Sequence, residues 1–175
     1  MANAVAKFEK VSLEQYVKCR SANTSEDISA KEYLNIKLPV RSTAKSAGYD
    51  FFSPIDFVLA PGESILIQTG VKCMVDADWF LAIFPRSSMG FKYRIQLDNT
   101  VGIIDPDYYN SISNEGHVAI KITNDFKCTD AEKPAHTLVV KAGDRFAQGI
   151  FLPYGITVDD QATATRDGGI GSTGQ

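Results

Sequence analysis

The sequence predicts an all-β fold, a sandwich or barrel of short strands, and three observations carry that expectation. Apolar residues recur with period two: Leu34, Ile36, Leu38 and Val40 alternate with Asn35, Lys37 and Pro39, the pattern of a strand whose side chains point in turn to core and solvent. The alternation returns at Val71, Cys73 and Val75, and again at Val118, Ile120 and Ile122. Turn chemistry interrupts these runs at short intervals, in APGE, QTG, NEG, KAGD and PYG. Helical periodicity is nearly confined to residues 1–32, so the strands have few helices to alternate with.

Residues 1–32 read as a partly helical extension packed outside the core. In VSLEQYVKCR, Ser12 is placed as a helix N-cap with Gln15 three positions on, a capping box, and Val11 and Tyr16 are spaced as its hydrophobic staple. Leu13, Tyr16, Val17 and Arg20 then share one helix face. SANTSEDIS, residues 21–29, reads as a polar linker, with a helical turn near AKEY. The β domain is expected over 33–164, and residues 165–175 form a glycine-rich tail.

Composition narrows the function. A chain of 175 residues holds one full core, and 44% hydrophobic residues is an ordinary globular fraction. No apolar run approaches the ~20 residues of a membrane helix, and MANAVAKFEKV lacks the apolar stretch of a secretory signal. Eighteen basic against twenty-one acidic residues, a net charge of −3, speak against a partner as large as duplex nucleic acid, which demands a basic stripe. A small phosphorylated ligand needs only a few local arginines. Cys19, Cys73 and Cys128 are widely spaced, with only His117 and His136 beside them. They read as reduced structural thiols in a cytoplasmic protein (or a nuclear one in a eukaryote), not as a zinc site or a disulfide framework.

Five stretches resist explanation as plain strand or turn, though each has a bland reading. AGYDFF, from Ala47, could be a turn entering a strand, with Asp50 as a local cap. PRSSMG, from Pro85, could be a surface turn; as chemistry, Arg86, Ser87 and Ser88 offer a guanidinium fork, two hydroxyls and turn amides, the donors a phosphate chain needs. AGDRFAQGIF reads as a tight turn entering a strand, with Asp144 and Arg145 a surface pair and Gln148 facing solvent. RDGGIGSTGQ is either a loose tail or an arm that orders over a ligand. In NTVGIIDPDYYN an apolar run stops at Asp105 and Pro106, with two tyrosines just beyond.

Taken together and in this order, AGYDFFSP, PRSSMG, NTVGIIDPDYYN, GDRFAQGIF and RDGGIGSTG resemble the five motifs of the trimeric deoxyuridine triphosphatase (dUTPase) family, from about residue 33 to the end. The resemblance implies a jelly-roll-type β-barrel and a homotrimer with active sites between subunits. Residues 165–175 would be the arm that closes over a neighbour's site. It implies hydrolysis of dUTP to dUMP and pyrophosphate with Mg²⁺ on the triphosphate, which keeps uracil out of DNA and supplies dUMP for thymidylate.

Residue by residue, the resemblance makes Asp105 the base that activates the attacking water. Tyr108 lies against the deoxyribose and leaves no room for a 2′-hydroxyl. Asn99 and the backbone at Val101 and Gly102 read uracil. Arg86, Ser87, Ser88 and Gln148 serve the phosphates, with Arg166, Gly171, Ser172 and Thr173 joining from the arm. Asp50 holds a water on the metal, and Asp144 and Arg145 order their turn. Three positions depart from the family pattern: Ser88 replaces a glycine, YNSISNEG replaces an Arg–Gly after Tyr108, and Ile170 stands where an aromatic lids the base, a role Phe126 could take instead. No motif residue lies in 1–32, so removing that segment is expected to spare hydrolysis. A dCTP deaminase and a non-catalytic, nucleotide-binding regulatory homologue remain the alternatives.

Overall fold

The computed structural model describes residues 4–20 and 25–164. In chain order the strands are β1 (Ala6–Lys10), β2 (Val40–Arg41), β3 (Tyr49–Phe52), β4 (Phe57–Leu59), β5 (Ser64–Gln68) and β6 (Val71–Val75). They continue with β7 (Trp79–Pro85), β8 (Ile95–Leu97), β9 (Gly102–Ile104), β10 (Ala119–Asn124), β11 (Leu138–Val140) and β12 (Arg145–Pro153). Helices α1 (Leu13–Arg20) and α2 (Glu26–Leu34) precede the β domain, and α3 (Ser87–Tyr93) follows β7.

The largest sheet has the order β2-β3-β12-β7-β9 and is antiparallel throughout. Three further pairings, β5-β10-β8, β1-β6 and β4-β11, complete an all-β sandwich of jelly-roll type. One apolar core joins them: Phe51, Leu81, Ile83 and Phe146 from the large sheet meet Ile67, Val71, Cys73, Ile120 and Ile122. β6 and β10 show the period-two burial that their sequences predict. Burial pushes the Cys73 thiol up to about 12, the behaviour of an inert packing residue.

One expected strand is absent. Leu34–Val40 does not form a strand; α2 runs to Leu34, an irregular stretch follows, and only Val40 and Arg41 pair. Leu34 and Leu38 are exposed, and of the alternating set only Ile36 is buried. Pro39 also removes a ladder donor there.

The N-terminal segment is more deeply built in than its sequence suggests. β1 pairs along the whole of β6, and the Phe8 ring meets Tyr49, Phe51 and Phe151 at centroid distances of 5.4–5.7 Å. Half of the capping box forms: Gln15 N donates to Ser12 Oγ at 3.0 Å. The Gln15 side chain turns instead to Cys19 Sγ, and the Ser12 N–H is taken by Glu115 at 3.0 Å. The staple residues Val11 and Tyr16 are both fully buried, whereas Leu13 is exposed, so the buried face of α1 is centred on Gln15 and Tyr16. Tyr16 packs against Tyr33 and His117, and Glu32 is held by Arg20 at 2.8 Å.

Because Val11 and Tyr16 belong to the core cluster, removing residues 1–32 exposes core surface, and the expectation that hydrolysis survives this truncation is withdrawn. Tyr16→Ala is expected to destabilise the fold by about 3–5 kcal/mol, the usual cost of deleting a buried aromatic ring, read as a lower urea midpoint with an unchanged m-value.

Candidate active site

Strand β12 carries one bulge, and it sets the chemistry of one end of the large sheet. Ala147 pairs with Phe51 and Gln148 with Asp50, but Arg145 pairs with Phe52, which leaves Phe146 as the extra residue. Phe146 and Ala147 are consecutive and both buried, while Arg145 is exposed. A regular strand would turn Arg145 to the same side as Ala147; the bulge returns it to the side of Gln148 and Asp50.

Arg86 reaches that side from the end of β7. Its Nε lies 3.1 Å from Asp50 Oδ1, while Arg145 Nη1 is 3.1 Å from Asp50 Oδ2 and 3.0 Å from Ser42 Oγ. Ser42 Oγ donates to Asp50 Oδ2 at 2.6 Å. Two guanidiniums thus share one carboxylate, which leaves a net cation at the sheet end. Partial burial alone would raise the Asp50 carboxyl, but the Ser42 hydroxyl and the two guanidiniums outweigh it and hold it below the usual carboxylate range.

This arrangement corrects one sequence reading. Arg145 does not pair with Asp144 on the surface; Asp144 orders the turn by itself, accepting from Lys141 N at 2.9 Å. Asp50 Oδ1 meets Arg86 Nε, while Oδ2 takes the Ser42 hydroxyl and Arg145 Nη1; an ionised carboxylate has about four acceptor sites, so a further water on Oδ1 is compatible with this pairing. Among the described residues no group of three or more His, Cys, Asp or Glu side chains could hold a metal ion.

The PRSSMG stretch is a helix start and not a turn. Arg86 is the extended N-cap of α3, and its carbonyl accepts from Met89 N and Gly90 N. Ser87 and Ser88 are exposed on the first turn, where helix geometry gives their amides no intrahelical partner. Gln148 Nε2 donates to Pro85 O at 3.1 Å and ties the end of β7 to β12 just before Arg86.

Asp105 stands elsewhere. β9 pairs with β7 through Gly102↔Ile83 and Ile104↔Leu81, so Asp105 leaves the ladder at the Leu81 end. From Leu81 to Arg86 the strand advances five residues, roughly 16 Å at ~3.3 Å each. Pro106 opens a 3-10 turn, Pro106–Tyr108, with Asp105 as its extended N-cap and its carbonyl bonded to Tyr108 N at 3.1 Å. Strand pairing on one side and this turn on the other fix the Asp105 backbone at the rim.

Tyr108 is buried, and its hydroxyl donates to His117 O at 2.9 Å and accepts from Asn114 Nδ2 at 2.7 Å. The turn before β9 is tight. Thr100 has φ +67°, and Val101 N donates to Asn99 O at 2.7 Å. That N–H is thereby turned into the loop, which leaves the Val101 carbonyl and the Gly102 backbone for the base-reading role, and the Asn99 side chain is exposed. Gly102 has a packing reason of its own, since a Cβ there would lie 3.1 Å from Ile83 Cβ. Phe126, the alternative base lid, stacks on His136 at a centroid distance of 3.6 Å. Arg166, Ile170, Gly171, Ser172 and Thr173 lie outside the described residues.

A cationic cluster beside a helix start, on a jelly-roll-type sandwich with a rim acid, defines a protein that takes a phosphorylated ligand. Comparison with known proteins gives the class its family. The dUTPase family model matches residues 34–174. A deoxyuridine 5'-triphosphate nucleotidohydrolase of Lactococcus lactis subsp. lactis is 40% identical over 151 residues, covering 85% of this chain and 95% of its own. One from Haemophilus influenzae is 35% identical over 150 residues, covering 79% and 87%. The crystal structure of a dUTPase from Streptococcus mutans superposes with TM-score 0.61 at 33% identity, over 87% of this chain and 98% of that one. The chain belongs to the dUTPase family, and its activity is that of a dUTP diphosphatase.

Behind Tyr108 lies a group that resists protonation. His117 Nε2 accepts from Gly70 N at 2.8 Å, and its Nδ1 is buried without a hydrogen-bond partner. Burial lowers its pKa to about 4 from 6.5, against a smaller opposing pull from Glu115. The folded pKa lies below the unfolded one, so between them the unfolded chain binds more protons and acidification favours unfolding. Stability is expected to fall from about pH 6.5 to about pH 4 by on the order of 3 kcal/mol from this group, and further below that as Asp50 is protonated. Urea unfolding at about pH 7 and about pH 4.5 checks this, and His117→Gln should flatten the upper part of the slope.

Proposed function

We propose that Asp105 is the general base of dUTP hydrolysis and that each active site is completed by a second copy of the chain. The observation that carries the second half is the register of β7. Arg86 and its cluster lie at one end of the strand, Asp105 and Tyr108 beyond the other, and the roughly 16 Å between them exceeds what a rigid sheet can close. A homotrimer that sets the Asp105 end of one subunit against the Arg86 end of its neighbour joins the two halves. The arm, residues 165–175, is proposed to close over a neighbouring site.

In the assembled site, Asp105 accepts the proton of a water as it attacks the α-phosphorus in line, and pyrophosphate leaves with the bonding pair. Arg86, the exposed Ser87 and Ser88 hydroxyls and the open amides of α3 take the phosphate oxygens. Arg86 would then exchange part of its contact with Asp50 for substrate, while Arg145 and Ser42 hold the carboxylate in place. Gln148 fixes the strand end that aims Arg86. Tyr108 walls the deoxyribose, Asn99 reads the base edge, and Arg166, Gly171, Ser172 and Thr173 are proposed as arm contacts with Ile170 over the base.

Mg²⁺ is proposed to arrive as part of the substrate, where it would draw charge from the triphosphate, with Asp50 holding it through a water. A dUTPase mutant from phage phi11 of S. aureus, 20% identical to this chain, coordinates a structural Mg(II) ion.

Pyrophosphate release from dUTP, compared with UTP, dCTP and dTTP, tests the substrate. Asp105→Asn is expected to bind dUTP and to turn over at least ~100-fold more slowly; near-normal kcat removes Asp105 from the reaction. Asp105→Asn and Arg86→Ala chains, each inactive alone, should regain part of the activity when co-assembled, because some sites then receive both native residues. Mixed oligomers without activity would place the whole site within one chain.

A further inference from the structure

We propose that Asn114 is a positioning residue for sugar selection, holding Tyr108 so that its ring cannot yield to a 2′-hydroxyl. The inference rests on the reading that Tyr108 faces the deoxyribose. It concerns the stretch 109–116, where this chain departs from the Arg–Gly that the family pattern places after the tyrosine.

A tyrosine hydroxyl has one proton to give, and Tyr108 gives it to the His117 carbonyl at 2.9 Å. The hydroxyl oxygen then accepts from Asn114 Nδ2 at 2.7 Å. The Asn114 amide cannot turn over, because its Oδ1 accepts from Ser111 Oγ at 2.7 Å and from Gly116 N at 3.0 Å. Both ends of the amide are therefore assigned, and its nitrogen is aimed at the ring tip.

The loop that carries Asn114 lies directly on the backbone it serves. Gly116 has φ +75°, and a Cβ there would stand 2.4 Å from Tyr108 O and 3.0 Å from Tyr109 Cα, an approach no other residue permits. From outside, Ser12 holds Glu115 by backbone and hydroxyl, Lys18 Nζ reaches Ser113 O at 3.4 Å, and Lys72 Nζ reaches Asn110 Oδ1 at 2.7 Å. The Tyr109 hydroxyl donates to Glu9.

Holding the tip matters because an apolar wall discriminates poorly against one added hydroxyl, by roughly 100-fold at best. A ring free to shift by about 1 Å loses much of that. Asn114 therefore acts on the choice between dUTP and UTP more than on turnover.

The sharpest test is Asn114→Asp, which keeps the acceptor for Ser111 and Gly116 but replaces the donor facing Tyr108 with a second acceptor. It is expected to lower the ratio of kcat/KM for dUTP over UTP by roughly tenfold, chiefly through faster use of UTP, with kcat for dUTP within about twofold of the parent. In a Tyr108→Phe background, which lacks the hydroxyl, Asn114→Asp should cause no further loss of selectivity. An unchanged ratio in folded Asn114→Asp, or an equal loss in the Tyr108→Phe background, overturns the proposal. Asn114→Ala gives the same reading should the added charge unfold the loop. Tyr108→Leu separates the two levels: if it leaves selectivity intact, Tyr108 does not face the sugar and the underlying reading fails. If it abolishes selectivity while Asn114→Asp does not, only the role of Asn114 falls.

Discussion

The cationic end of the large sheet depends on a single extra residue in β12. Phe146 and Ala147 both enter the core, which a strict period of two forbids, and the bulge that allows this places Arg145 beside Asp50. Without it, the strand would have to bury a guanidinium next to Phe51 or expose Phe146 to water. Desolvating an unpaired cation costs several kcal/mol, and exposing an aromatic ring forfeits about 2 kcal/mol of burial. The irregular strand avoids both, and its by-product is a carboxylate gripped by two guanidiniums. Asp50 therefore works as an aiming device: it holds Arg86 and Arg145 on one face with net positive charge, at the entrance to α3, where open amides add to the same field.

β7 turns that local device into an argument about assembly. It lies between β12 and β9, paired with β12 from Trp79 to Pro85 and with β9 from Leu81 to Ile83, within the segment that separates Arg86 from Asp105. A strand held in this way, with Leu81, Ala82 and Ile83 fully buried, does not shorten or fold back to bring its ends together. The distance is a property of the sheet and not of a flexible loop. If the rim acid is the base, as proposed, charge at one end and that acid at the other would each be half of a phosphate-cleaving centre, in keeping with a site shared between copies.

Much of this was legible in the sequence, for identifiable reasons. β6 and β10 follow their alternation because one face is core and the other solvent. The rim position of Asp105 could be read from an apolar run halted by proline. Arg145 was misread because Asp144 offers a partner next door, whereas its true partner, Asp50, lies 95 positions away and is brought close only by the bulge. The alternation at Leu34–Val40 misled because only Ile36 has anything to pack against. β1 was missed since a short, charged strand has little signal until β6 is there to receive it.

The segment before the family-model match and the excursion after Tyr108 are built as one unit. Residues before the family match supply Glu9, Ser12 and Lys18; the excursion after Tyr108 supplies Tyr109, Glu115 and the Ser113 carbonyl, and these meet pairwise. Beneath them, Tyr16 packs on the His117 ring, and the carbonyl of that histidine receives the Tyr108 hydroxyl. Only His117 stands between a core residue of α1 and the ring assigned to the sugar. A segment with no motif residue is thereby part of the foundation under Tyr108, and a change in how α1 seats on the core reaches that ring through packed contacts and not through the solvent.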